Sequence, residues 1–96
     1  MSKRIDQIPK HDRPREKLAA KGASVLNDQE LLAVLLGKGT SRIDVMTLAG
    51  NLVRVIDEKG LSLRTEDLTA FEGVGEAKAT LVLAAIEFAR RRIKPE

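Results

Sequence analysis

Two stretches of the sequence share one pattern: an apolar helical segment, a Gly-x-Gly turn and a second apolar helical segment. The first stretch covers residues 30–53 and the second covers residues 66–88, and Gly37 aligns with Gly73. When two extra residues are allowed in the first loop, the apolar positions after both turns keep the same register. Two similar helix pairs can bury one shared core about a pseudo-two-fold axis. The repeat therefore predicts an all-α fold made of two related helical hairpins.

Five helices are predicted from apolar periodicity and from start and stop signals. They are Pro14 to Lys21, a helix capped by Asn27 and ending at Gly37, a helix beginning after Thr40 or Ser41 and ending at Gly60, a short helix capped by Thr65 and closed by Gly73, and Glu76 to Arg92. No stretch alternates with a period of two, so no strand is predicted. Residues 1–12 are predicted to be an extended lead-in because Pro9 disfavours helix at Ile8. The domain then covers residues 13–92, and residues 93–96 form a tail or the start of a linker.

The formal charge of +3 is modest, but basic residues cluster at the two ends, in residues 1–22 and again at Arg90, Arg91, Arg92 and Lys94. This distribution is a weak indication of contact with a polyanion. Phe71 and Phe88 are the only aromatic residues, which argues against the base-stacking platforms of single-strand binders. The chain has no cysteine and no apolar run of membrane-spanning length. We expect a cytoplasmic protein with no membrane contact.

The residue types needed for catalysis are poorly placed in this sequence. His11 is the only imidazole and has no second ligand at metal-binding spacing. The serines Ser24, Ser41 and Ser62 have no evident base, and the segment GKGTS lacks the glycine spacing of a nucleotide-binding loop. We therefore predict no enzyme activity, no metal site and no cofactor in this chain.

The Gly-x-Gly turns suit contact with phosphate. Glycine tolerates positive φ and leaves no Cβ in the way of an incoming phosphate, and the following helix presents unpaired N–H groups and its positive dipole end. Such contacts position a protein on nucleic acid without reading its sequence. The candidate backbone-binding residues are Gly37, Lys38, Gly39, Thr40, Ser41 and Arg42 in the first hairpin, and Gly73, Val74, Gly75 and Lys78 in the second. Val74 is predicted to point into the core and brace its turn.

The Gly-x-Gly turns have a simpler interpretation as well, and the arginine run has two. A Gly-x-Gly between helices also serves purely as a helix stop followed by a tight turn. Glu72 and Glu76 flank the second turn and would repel phosphate at close range. The first turn is more cationic and the second is better braced. The run from Arg90 to Arg92 is either a solvated helix end or a second contact patch.

Residues 68–82, LTAFEGVGEAKATLV, resemble the helix-hairpin-helix motif of DNA repair and recombination proteins. Residues 13–40, RPREKLAAKGASVLNDQELLAVLLGKGT, resemble the N-terminal region of the RadC family of bacterial DNA-repair-like proteins. The resemblance extends from about Ile5 to Arg92. It implies a tandem helix-hairpin-helix domain that precedes a JAB/MPN metalloprotease-like domain, whose zinc site uses a His-x-His pair with an Asp and a Glu. With one histidine, this chain does not hold that site.

The expected function is sequence-independent binding of duplex or branched DNA, in the context of DNA repair, through hairpin amides and nearby Lys and Arg side chains. The alternative is a protein-interaction module that docks, targets or regulates the JAB/MPN-type domain or another protein. The acidic residues beside the second turn and the modest net charge favour that alternative.

Overall fold

Most of the helix starts and stops predicted from the sequence coincide with those of the computed structural model, which describes residues 4–93. The five α-helices are α1 (Pro14–Lys21), α2 (Asp28–Leu36), α3 (Val45–Lys59), α4 (Thr65–Thr69) and α5 (Glu76–Arg92). Short 3-10 turns occur at Ile5–Gln7, Lys10–Asp12, Ala23–Val25 and Gly60–Ser62. No strand occurs between residues 4 and 93. The predicted all-α class with five helices is confirmed.

The start of α2 is fixed by a reciprocal pair of hydrogen bonds. The Glu30 amide donates to Asn27 Oδ1 at 2.8 Å, and the Asn27 amide donates to Glu30 Oε1 at 3.0 Å. Lys17 Nζ donates to Glu30 Oε2 at 3.0 Å, which ties α1 to this helix start. Burial alone would raise the pKa of Glu30, but the Asn27 amide and the Lys17 ammonium lower it overall. The predicted capping arrangement is confirmed, and one carboxylate joins two helices.

The start of α3 differs from the prediction that Thr40 or Ser41 caps it. The cap is Asp44, whose Oδ2 accepts from the Met46 amide at 2.9 Å. Thr40 instead closes a separate turn, because its Oγ1 accepts from the amides of Arg42 at 3.2 Å and Ile43 at 3.0 Å. A hydroxyl engaged in this local turn cannot also cap the helix.

Two further boundaries are corrected. Thr65 is the first residue of α4 rather than its cap; the cap position is Arg64, whose amide donates to Asp67 at 2.8 Å. The helix ends at Thr69, and Gly73 lies in the turn that follows.

The predicted extended lead-in of residues 1–12 is also wrong where it is described, since it contains two 3-10 turns. Ile5 and Ile8 pack against the core, and the Ile5 amide donates to Asp44 Oδ1 at 3.0 Å. These contacts bend the segment onto the domain. Residues 1–3 and 94–96 lie outside the described part of the chain.

The core lies where α2, α3, α4 and α5 meet. Its fully buried large side chains are Leu48, Leu52, Leu68 and Val82. Helix α2 packs on α3 and α5, while α4 packs on α5 and α3. These contacts are related in pairs: α2 with α3 corresponds to α4 with α5, and α2 with α5 corresponds to α4 with α3. The pseudo-two-fold repeat predicts this correspondence.

Candidate nucleic-acid interface

The two Gly-x-Gly segments lie in the connections between paired helices. We call residues 37–44, between α2 and α3, the first turn, and residues 70–75, between α4 and α5, the second turn. Gly37 and Gly73, aligned by the sequence repeat, have φ of +82° and +92°. Residues with a Cβ rarely adopt this left-handed conformation. The glycine requirement inferred for these two positions is therefore confirmed.

The two turns lie side by side. A Cβ built on Gly73 would lie 3.1 Å from Leu48 Cδ2 and 3.4 Å from Thr40 Cγ2, so the second turn packs on α3 and on the first turn. Arg42 Nη1 and Glu72 Oε2 are 3.2 Å apart across the same boundary. The structure thus brings together two candidate segments that are 36 residues apart in sequence.

Half of the amides of the first turn donate within the chain, those of Gly37, Thr40, Arg42 and Ile43. The Thr40 amide donates to the Ile43 carbonyl at 2.8 Å, and the amides of Arg42 and Ile43 donate to the Thr40 hydroxyl. A Cβ on Gly39 would overlap the Ile43 carbonyl oxygen and lie 2.6 Å from the Val45 amide nitrogen. Gly39 is therefore required by the close approach of its own chain. What this turn offers outward are the exposed side chains of Lys38, Ser41 and Arg42.

The second turn is anchored in the core and leads directly into α5. Val74 is 5% exposed and belongs to the core, as predicted, and its amide donates to the Phe71 carbonyl at 3.1 Å. Gly75 is the N-cap of α5, and among the described residues no side chain caps this helix. Gly75 has a φ of −91° and ψ of −174°, and a Cβ built there meets no atom within 4 Å. Neither the backbone conformation nor the packing explains glycine at this position.

The charges around the paired turns are mixed. Lys38 and Arg42 come from the first turn, and Lys78 is in the first helical turn of α5. Neither lysine has an ion-pair partner within residues 4–93, whereas Arg42 is held by Glu72. Glu72 and Glu76 are both exposed. The first turn therefore supplies cations, and the second supplies an uncapped helix start beside two carboxylates.

The arginine run at the end of α5 does not join this site. A helix of 17 residues is about 25 Å long, and the run lies at the end opposite Gly75. Glu87 accepts hydrogen bonds from Arg90 and Arg91 at 2.6 and 2.8 Å. These two guanidinium groups lower the pKa of Glu87 to about 2. This geometry favours the interpretation of the arginine run as a solvated helix end whose charge is partly neutralised.

Asp44 is the residue that sequence reasoning missed. It is 7% exposed and its two carboxylate oxygens accept from the amides of Ile5 and Met46. The signal for it in the sequence is an Asp directly before the apolar run that starts at Val45, but Thr40 and Ser41 are also residue types that cap helices. Asp44 therefore closes the N-terminus of α3 with an anion, which leaves α5 as the open helix start of the pair.

Across residues 4–93, no group of three His, Asp or Glu side chains is arranged to hold a metal ion. None of the helices in that range is both long and apolar enough to cross a bilayer.

Comparison with known proteins identifies the family. The N-terminal domain model of the UPF0758 family matches residues 5–80. A UPF0758 protein from Carboxydothermus hydrogenoformans is 45% identical over 93 residues, covering 95% of this chain and 41% of the relative. One from Methanospirillum hungatei is 40% identical over 90 residues, covering 94% and 40%, and one from Rubrobacter xylanophilus is 44% identical over 91 residues, covering 91% and 39%. The chain thus spans about two fifths of the length of these relatives. Among solved structures, none matches it. The chain belongs to the UPF0758 family, which is the RadC-like family that residues 13–40 resemble.

Proposed function

We propose that this domain is a helix-hairpin-helix module that binds the phosphate backbone of duplex or branched DNA without reading its sequence. The observation that carries the proposal is the uncapped start of α5 at Gly75, adjacent to the cationic first turn. Amides at a helix start and the positive helix dipole favour an anion such as phosphate. Gly75 leaves the approach to those amides open, and no constraint of the fold accounts for its being glycine.

The two turns have different roles in this proposal. The second turn supplies backbone donors at residues 75–78 together with the Lys78 ammonium. The first turn supplies the side chains of Lys38 and Arg42, since three of the four amides from Thr40 to Ile43 already donate within the chain. Placed side by side, the turns would contact neighbouring phosphates. Phe71 is packed against the core and Phe88 lies at the far end of α5, which disfavours binding by base stacking.

The test is fluorescence anisotropy of labelled duplex and junction DNA across a salt series. We expect dissociation constants of about 1–100 μM at low salt and a logarithmic salt slope of about −2 to −3, from up to three cations. Gly75→Leu with Lys78→Glu should abolish binding, and Lys38→Glu with Arg42→Glu should weaken it. Lys59→Glu changes the net charge by the same amount as Gly75→Leu with Lys78→Glu and is the control for that variant, because this exposed lysine ends α3, about 20 Å from the first turn.

Absence of binding at low salt by the folded wild-type domain would refute the proposal. Equal loss of affinity in Lys59→Glu and in the turn variants would show only a general charge effect. The second candidate is docking of a JAB/MPN-type domain or another protein, favoured by the exposed Glu72 and Glu76 beside the second turn. A basic protein surface would then require these carboxylates, whereas DNA binding would improve when they are removed.

A further inference from the structure

A shallow apolar groove lies between α2 and α3, outside the paired turns. It has a volume of about 210 Å³ and is lined by Asp28, Leu31, Leu32, Leu35, Val53, Ile56 and Asp57. The lining residues of α2 are spaced as one stripe of a helix, and Leu35 is 46% exposed. Asp28 opens α2 and Asp57 lies in the last turn of α3. The groove therefore has an apolar floor and two carboxylates at its rim.

The C-terminal end of α5 has the complementary character. Every residue from 88 to 93 is exposed, so no face of this helix end packs on the body of the domain. Phe88 is 63% exposed and Ile93 is 75% exposed. The guanidinium of Arg92 lies 4.6 Å from the centre of the Phe88 ring. Glu87 offsets part of the charge of Arg90 and Arg91, and the segment stays net positive.

We propose that the end of α5 binds in the acidic-rimmed groove of a second copy of this chain. Phe88 would cover the apolar floor while arginines face Asp28 and Asp57. The helix end does not reach the groove of its own chain, since it is a continuous part of α5 and is exposed on all sides. When each copy places its helix end in the groove of the other, the two copies form a closed, two-fold symmetric pair.

The contact is small, and this sets the strength of the association. Stable interfaces bury about 1,200–2,000 Å² in total, which is more than two helix ends of six residues provide. The pair is therefore weak and dependent on concentration. It does not involve the paired turns, so it is independent of the proposed DNA contact.

Sedimentation velocity from about 10 μM to 1 mM tests the proposal, because weak pairs become populated only near their dissociation constant. We expect the weight-average sedimentation coefficient to rise towards that of a dimer. Two variants with altered charge sharpen the test. A groove variant, Asp28→Asn with Asp57→Lys, makes the rim of the groove net positive, and a helix-end variant, Arg91→Glu with Arg92→Glu, makes the helix end net negative. Each alone sets like charges against each other and should stay monomeric. An equimolar mixture should pair again, because each helix end then meets a groove of opposite charge.

Asp12→Asn with Glu66→Lys is the control matched to the groove variant in charge change, since both side chains are exposed and lie outside the groove; it should dimerise like the wild type. Amide chemical shifts should move with concentration at both Leu35 and Phe88. A wild-type chain that is monomeric at 1 mM overturns the proposal. So does a dimer whose stability is unchanged in both reversed variants, because its interface then lies elsewhere.

Discussion

The guanidinium of Arg42 lies 3.2 Å from the carboxylate of Glu72, so that a cation of the first turn is held by an anion of the second. Both side chains are well exposed, at 79% and 55%, and an ion pair of this kind adds little to stability. The ion pair instead changes the electrostatic potential of the surface that the paired turns present to a ligand. Glu72 lowers the positive potential at the place where phosphate is proposed to bind.

The first prediction is that Glu72→Gln strengthens DNA binding. Removing the carboxylate frees Arg42 and eliminates a repulsion, so we expect a gain in affinity of about two- to five-fold at low salt. The gain should shrink as salt rises, because exposed charges are screened. Anisotropy titrations would measure it, with Glu58→Gln as control, since Glu58 is exposed near the far end of α3. A loss of affinity in Glu72→Gln would instead favour docking of a basic protein.

The second prediction contrasts two glycines that look equivalent in the sequence. Gly39→Ala should destabilise the domain by about 3 kcal/mol or prevent folding, because the new Cβ would overlap the backbone of Ile43 and Val45. Gly75→Ser should fold normally and gain a few tenths of a kcal/mol, since Ser caps a helix better than Gly. Urea unfolding would measure both. The same Gly75→Ser variant should bind DNA less well, as its hydroxyl competes for the amides of α5.

A Gly75 variant that is strongly destabilised would show that position 75 is structural. The proposed site would then lose its main support, because glycine there would have an ordinary explanation within the fold.

The third prediction concerns Asp44, which joins the N-terminal segment to the start of α3. Asp44→Ala removes the acceptor for the amides of both Ile5 and Met46, so we expect a loss of about 1–2 kcal/mol in unfolding free energy. Asp44→Asn retains an acceptor oxygen and should lose less. Hydrogen exchange should increase at Ile5 in both variants. Unchanged exchange there would mean that packing of Ile5 and Ile8 alone holds the segment.

The fourth prediction is a pH dependence at Glu30. Its folded pKa lies below the ordinary 4.5, so its contribution is present above that pH and is lost as the pH falls through the lowered value. Glu30→Gln keeps an oxygen for the Asn27 amide but loses the ion pair with Lys17. The difference in unfolding free energy between wild type and variant should therefore be largest at pH 6 and shrink towards pH 3. A difference that is constant over this range would exclude the ionised carboxylate as its source.

The sequence predicted those features that depend on local signals. The reciprocal cap of Asn27 and Glu30 and the burial of Val74 follow from residue type and spacing along one helix or turn. The prediction for the start of α3 is wrong because several residues in succession can cap, and the Thr40 hydroxyl is engaged in a turn of its own. The contact of Asp44 with the Ile5 amide, 39 residues away in sequence, has no local signal. The different roles of Gly39 and Gly75 were also hidden, since both stand second in a Gly-x-Gly. Only the packing of the chain around each one separates them.

The packing of the second turn on α3 limits which nucleic acids the paired turns can contact. Gly73 lies against Leu48, a fully buried residue, so the separation between the two turns is set by the packed interior and not by a flexible loop. Contact points at a fixed separation favour a backbone whose phosphates recur at a matching distance. The proposed DNA contact would then be sensitive to groove width and helical form, without contact to a base. A smaller side chain at position 48 would change that preference from within the core.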